Sequence, residues 1–123
     1  MNISDILSWL STAPQLSGEK INWSFLPSYS GWSLSVPKAE TRADILGNRR
    51  ERLVLKITRR DTIESDADRL AVFEALEALV AWAKAHPPEN VRLKAADLPE
   101  FTSRSSSGIE DISVTMTLER SQN

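Results

Sequence analysis

A chain of 123 residues, 41% apolar and 26% charged, has the size and balance of one compact domain whose core needs no metal or disulfide staple. It has no cysteine, which excludes disulfides, thiolate metal sites and cysteine nucleophiles. Net charge is −2, no apolar run has the length of a membrane span, and the N-terminus lacks the basic start of a secretory signal, so the expectation is a soluble cytoplasmic product with no membrane partner.

In chain order, "SDILSWLSTAP" predicts a short helix with Ser4 as N-cap, Asp5 in the first turn and Pro14 beyond its end. Ile3, Ile6, Leu7 and Leu10 form its apolar stripe. "INWSFLP" alternates Ile21, Trp23 and Phe25 with Asn22 and Ser24, a strand pattern stopped by Pro27. "YSGWSLSVP" repeats the pattern with Trp32, Leu34 and Val36. Residues 38–48, "KAETRADILGN", have no clear period and read as a long loop or weak strand edge, an excursion from the body.

Residues 48–61, "NRRERLVLKITRRD", hold six of the fifteen basic residues. Leu53, Leu55 and Ile57 share one parity, while Arg50, Arg52, Val54, Lys56, Thr58 and Arg60 share the other. Successive side chains of a strand point to opposite faces. The segment is therefore expected to be a half-buried strand with a basic outer surface. "SDADRLAVFEALEALVAWAKAHPP" is a long helix with Ser65 or Asp66 as cap, Pro87 and Pro88 as stop, and Val72, Phe73, Leu76, Leu79, Val80 and Ala83 toward the sheet. Glu74, Glu77 and Lys84 fall on its exposed side. A short alternating piece follows at Val91 and Leu93, then a polar tract at residues 102–108 that reads as a hairpin loop or tip. Ile112, Val114, Met116 and Leu118 alternate with Ser113, Thr115 and Thr117 in a terminal strand. The resulting expectation is a single α+β domain over residues 1–123. It has the order α-β-β-β-α-β-β, with one mainly antiparallel sheet and both helices packed on one face.

The inventory for catalysis is thin. His86, the only histidine, ends the long helix, where it caps carbonyls and suits the dipole. Glu64, Asp66 and Asp68 could suggest a magnesium site, but acids at a helix start follow from the dipole alone. There is no glycine-rich phosphate loop and no G-x-S-x-G elbow. No catalytic residue, metal or cofactor is expected, and the chain does not read as an enzyme. Trp9, Trp23, Trp32 and Trp82 read as core, with room for one exposed anchor. The basic parity of residues 50–60 carries no aromatic side chain, unlike the RNA-reading sheets that interleave the two, so a subunit contact is favoured over nucleic acid.

Over nearly the whole chain, the layout resembles the small tail-terminator or minor-capsid-like proteins of tailed bacteriophages and prophage-derived tail particles. The segments that carry this likeness are "ILSWLSTAPQLSG", "INWSFLP", "YSGWSLSVP", "LVLKITRRD", "LEALVAWAKAH", "DLPEF" before a serine loop, and "ISVTMTLER". The resemblance implies a viral structural protein found in the virion at the head–tail junction and assembled in the bacterial host cytoplasm. Its copies would form a ring, commonly a hexamer, that caps the tail tube and meets the head connector. It implies no cofactor, and no nucleic acid except DNA passing through the ring. A ring needs two unlike surfaces. The candidate contacts are Arg50, Arg52, Lys56 and Arg60 on one subunit, with Glu74 and Glu77 on the next, and the loop at residues 38–48. The alternatives are another head–tail joining or tail-completion protein, a small nucleic-acid-binding α+β domain, and an enzyme with a carboxylate-held metal.

Overall fold

A computed structural model describes residues 2–16, 19–23, 30–105 and 107–122. The chain runs α1 (Ile3–Leu10), a 3₁₀ turn (Pro14–Leu16), β1 (Ile21–Trp23), β2 (Gly31–Ala43), β3 (Arg49–Thr62), α2 (Asp66–Ala85), β4 (Val91–Ala96), β5 (Glu100–Arg104) and β6 (Ile109–Gln122). The fold is α+β with a mainly antiparallel sheet of six strands among the described residues, ordered β1-β2-β3-β6-β4, with β5 also on β6. The order predicted from sequence lacks one strand, β5. Val91 faces Arg120 and Arg104 faces Glu110, so β4 and β5 lie end to end along β6 as one edge, broken at residues 97–99.

The period-two reading of β3 and β6 is borne out by register. Leu53 faces Leu118, Leu55 faces Met116 and Ile57 faces Val114, all buried. Trp32 and Leu34 of β2 continue this layer. Ile6 and Leu10 of α1, Leu16 of the 3₁₀ turn, and Val72, Leu76, Leu79 and Ala83 of α2 close over it, forming one core on one face of the sheet. Trp9 stacks on Trp82 with centroids 5.3 Å apart, and its indole N–H donates to the His86 carbonyl at 2.7 Å, which clamps α1 to the end of α2.

Several local expectations change. The cap of α1 is Asn2, not Ser4: Asn2 is extended, and its side chain accepts from the Asp5 N–H at 2.8 Å. Ser65 caps α2 by accepting from the Asp68 N–H at 3.2 Å, and Asp68 accepts from the Glu64 N–H at 3.0 Å. Of the three acids that could suggest a metal site, Asp68 thus spends its carboxylate on the helix start, and Asp66 pairs with Arg69 at 2.9 Å. His86 ends α2 as expected, with its ring stacked on Trp82 at 5.7 Å.

β1 pairs with β2 in parallel, although hairpin-linked strands would pair antiparallel. Phe25 and Pro27 lie outside the described residues. Of residues 38–48, expected as a long loop or a weak strand edge, 38–43 belong to β2. β2 passes a register shift between Ser35 and Lys38, which accommodates Pro37, and pairs with β3 as far as Ala43. The polar tract at residues 102–108 begins inside β5, and its turn closes with Gly108 at φ +83° and a Gly108 N–H to Ser105 carbonyl bond of 3.2 Å.

Candidate interaction surface

The outer face of the sheet comes from the parity of β3 opposite its core residues. Arg50, Arg52, Val54, Lys56, Thr58 and Arg60 face Ser121, Glu119, Thr117, Thr115, Ser113 and Asp111 of β6 in turn. Lys38, Glu40 and Arg42 of β2 share this face through their pairing with Val54, Arg52 and Arg50. The basic band is therefore real, but it is threaded with acids that β3 alone does not reveal.

Two of those acids are buried and hold the arginines opposite them. Glu119, only 2% exposed, takes Arg92 at 2.8 Å, Arg52 at 3.1 Å and Lys94 at 3.2 Å. Arg92 and then Arg52, by hydrogen bonding, do most to hold the Glu119 carboxyl at about 2, below its ordinary 4.5, against the opposing effect of burial. Arg52 also reaches Glu40 at 3.3 Å, linking β2, β3 and β6. Asp111 accepts both hydrogen bonds of a forked pair from Arg60, at 2.7 and 2.9 Å, and a third from the Ser103 hydroxyl at 2.8 Å. The Arg60 bonds lead in keeping this carboxyl below its usual range. Thr58 and Ser113 share a hydrogen bond of 2.7 Å between them.

The six residues proposed from sequence thus divide. Arg52 and Arg60 are bound inside their own chain. Lys56 has no ion pair among the described residues, although its charge helps to hold Asp111 ionised. Arg50 is exposed near the sheet end, and its charge acts on Asp44. Glu74 and Glu77 are exposed on α2, on the far side of the molecule from this face, so any contact with the basic face is between copies.

The helix side has its own buried carboxylate. Burial alone would raise the Glu110 carboxyl, but Arg69 of α2 and Arg104 of β5 outweigh it, bonding at 3.0 and 3.1 Å and holding it below the ordinary range. Arg59 closes the other end of the layer. It lies over the Trp32 ring at 5.2 Å and pairs with Glu19 and Asp61, each at 3.1 Å, while the Trp32 indole N–H donates to Glu19 at 2.8 Å. Sequence inspection missed Glu110, Asp111 and Glu119. Each is opposite a basic residue only once β6 is registered on its neighbours.

β2 and β3 are joined by a turn at residues 44–48, at the end of the sheet where Arg49 lies between Ala43 and Gln122. This turn is fixed by Asp44, whose carboxylate accepts from the N–H groups of Leu46 at 2.8 Å and Asn48 at 3.0 Å and from the Asn48 amide at 3.1 Å. The Asn48 backbone bond is the main reason that the Asp44 carboxyl sits below its usual range. Gly47 supplies the φ of +85° that the turn requires.

No family model and no curated protein matches this chain. One solved structure whose name carries no function aligns over 98% of this chain and 89% of its own, with a TM-score of 0.51 and 18% identity. A likeness at that identity concerns the fold alone.

Proposed function

We propose that this chain is a structural protein of a phage tail, a terminator whose copies form a head-to-tail ring, commonly a hexamer, that caps the tail tube and meets the head connector. The observation that carries this reading is the pair of unlike surfaces on opposite sides of one layered body. One is a cation-rich outer sheet face. The other is the exposed side of α2, with Glu74 and Glu77 among alanines. Closed rings are built from heterologous contacts, in which one patch meets a different patch on the neighbour. The likeness of layout to tail terminators, from "ILSWLSTAPQLSG" to "ISVTMTLER", supplies the tube and connector as partners.

The pairing of Arg52 and Arg60 shapes the test. Reversing either charge would strand a buried carboxylate and damage the fold, confusing folding with assembly. Arg50 and Lys56 are the informative pair. Neutralising rather than reversing them, R50A/K56A should keep the circular dichroism of the parent and melt close to it while weakening oligomers or tube binding roughly tenfold or more. Unchanged assembly in that variant would remove the outer face from the contact. DNA binding is the competing use of the same cations. Arg52 and Arg60 are already neutralised within the chain, which leaves few charges to exchange for counterions and lowers the expected salt slope.

A further inference from the structure

The turn joining β2 to β3 presents two large apolar side chains to solvent, Ile45 at 101% and Leu46 at 82% exposure. An ordered turn, tied by the Asp44 bonds and by the Gly47 N–H to Asp44 carbonyl bond of 3.1 Å, holds them out. Exposed Arg42, Arg49 and Arg50 flank the turn, Arg42 being paired with Glu40 at 3.7 Å. The tip is therefore apolar with a basic collar.

The opposite character occurs at the break between β4 and β5. Leu98 is 81% and Phe101 45% exposed, and Asp97 and Glu100 beside them are exposed with no ion pair among the described residues. The flanking bases are already engaged, Lys94 with Glu119 at 3.2 Å and Arg104 with Glu110 at 3.1 Å. This edge is apolar with unmatched acids.

The two patches cannot meet within one chain. The turn projects from the end of the sheet where Arg49 faces Gln122, whereas Leu98 lies between the level of Met116 and that of Ser113. Six to nine strand residues separate those levels, about 20–30 Å at 3.3 Å per residue. We infer that the Ile45–Leu46 tip of one copy docks on the Leu98–Phe101 edge of the next, with the arginines flanking the turn beside Asp97 and Glu100. The inference rests on the ring reading and adds a second contact to it. The donor copy offers its outer β3 face and the turn that leads into β3. The acceptor offers α2 and the edge beside it, which Glu110 links through Arg69 and Arg104. Among the other exposed apolar side chains, Trp23 is set aside because Lys56 borders it and would repel the collar, and Leu70 because it stands as a single side chain on α2.

The absence of cysteine makes the test direct. Single variants I45C and L98C are mixed under mild oxidant, and disulfides are identified by mass spectrometry, since a bond forms only where Cα atoms come within about 7 Å. A parallel mixture of K56C with E77C reports the contact of sheet face with helix. The expected result is I45C–L98C coupling well above I45C–I45C coupling, together with I45D/L46D protein that keeps its circular dichroism but associates at least tenfold more weakly. Coupling of K56C to E77C without I45C to L98C would overturn the tip contact and leave the ring reading standing. Coupling of I45C to L98C alone would keep the tip contact and reject the sheet-to-helix one. If neither pair couples at millimolar protein, both are wrong.

Discussion

Three cations converge on Glu119, a buried carboxylate near the Arg49–Gln122 end of the outer face, and its depressed pKa has a consequence for stability. A carboxyl whose folded value is about 2 against an ordinary 4.5 stabilises the fold fully above the higher value. That contribution is lost as pH falls from near 5 toward 2. Asp111 and Glu110, also held low, act in the same direction. Thermal melts should therefore fall in midpoint across this window. E119Q should flatten that dependence and cost roughly 2 kcal/mol at pH 7, because three donors lose a charged acceptor. An unaltered acid slope in E119Q would show that the outer-face network contributes little. The core gives a comparison free of charge. Leu76 is fully buried, and L76A should cost about 2–5 kcal/mol at any pH in chemical denaturation.

Among the elements, those with one buried face were legible in the sequence and those without were not. β3 and β6 alternate because the helices cover one side, so Leu53, Leu55 and Ile57, like Val114, Met116 and Leu118, had to be apolar. α2 declared itself by the same logic at helical spacing, with Ser65 as its start. The outer half of β2, "KAETRA", reads as loop or weak strand edge because almost all of its side chains are exposed and carry no burial pattern. β5 hides for a related reason: all five of its residues are exposed, so "EFTSR" carries no burial signal. The basic face was legible from parity, whereas its carboxylate partners were not, since cross-strand neighbours depend on register. The order of the β2–β3 turn follows from Asp44 and Gly47. D44A removes three acceptor contacts and G47A places a side chain at φ +85°, so each should loosen the turn by about 1 kcal/mol. Amide exchange at Leu46 and Asn48 would report this as faster, with the core strands unaffected. Slow, unchanged exchange in D44A would mean that strand pairing alone orders the turn.

At the scale of the whole molecule, the layers make a body with two different sides. A face whose arginines are partly neutralised from within lies opposite a helix that displays acids, and an apolar turn projects from one end of the sheet. A protein held together this way gains little from contact between identical faces, since two cation-rich surfaces repel. It gains from contact between unlike ones. This asymmetry links the outer face, the helix and the turn in one account of head-to-tail assembly. Salt should loosen such assemblies, because the Debye length shrinks from about 10 Å at 0.1 M to about 3 Å at 1 M.

The most direct measurement is the mass of the purified full chain by light scattering, over a range of concentration and salt, with and without the tube protein of the proposed tail. A discrete multiple of the protomer mass that forms at low salt, or on addition of tube protein, and dissociates as salt rises is the predicted result. A protomer that stays single at every concentration and ignores tube protein would contradict the ring.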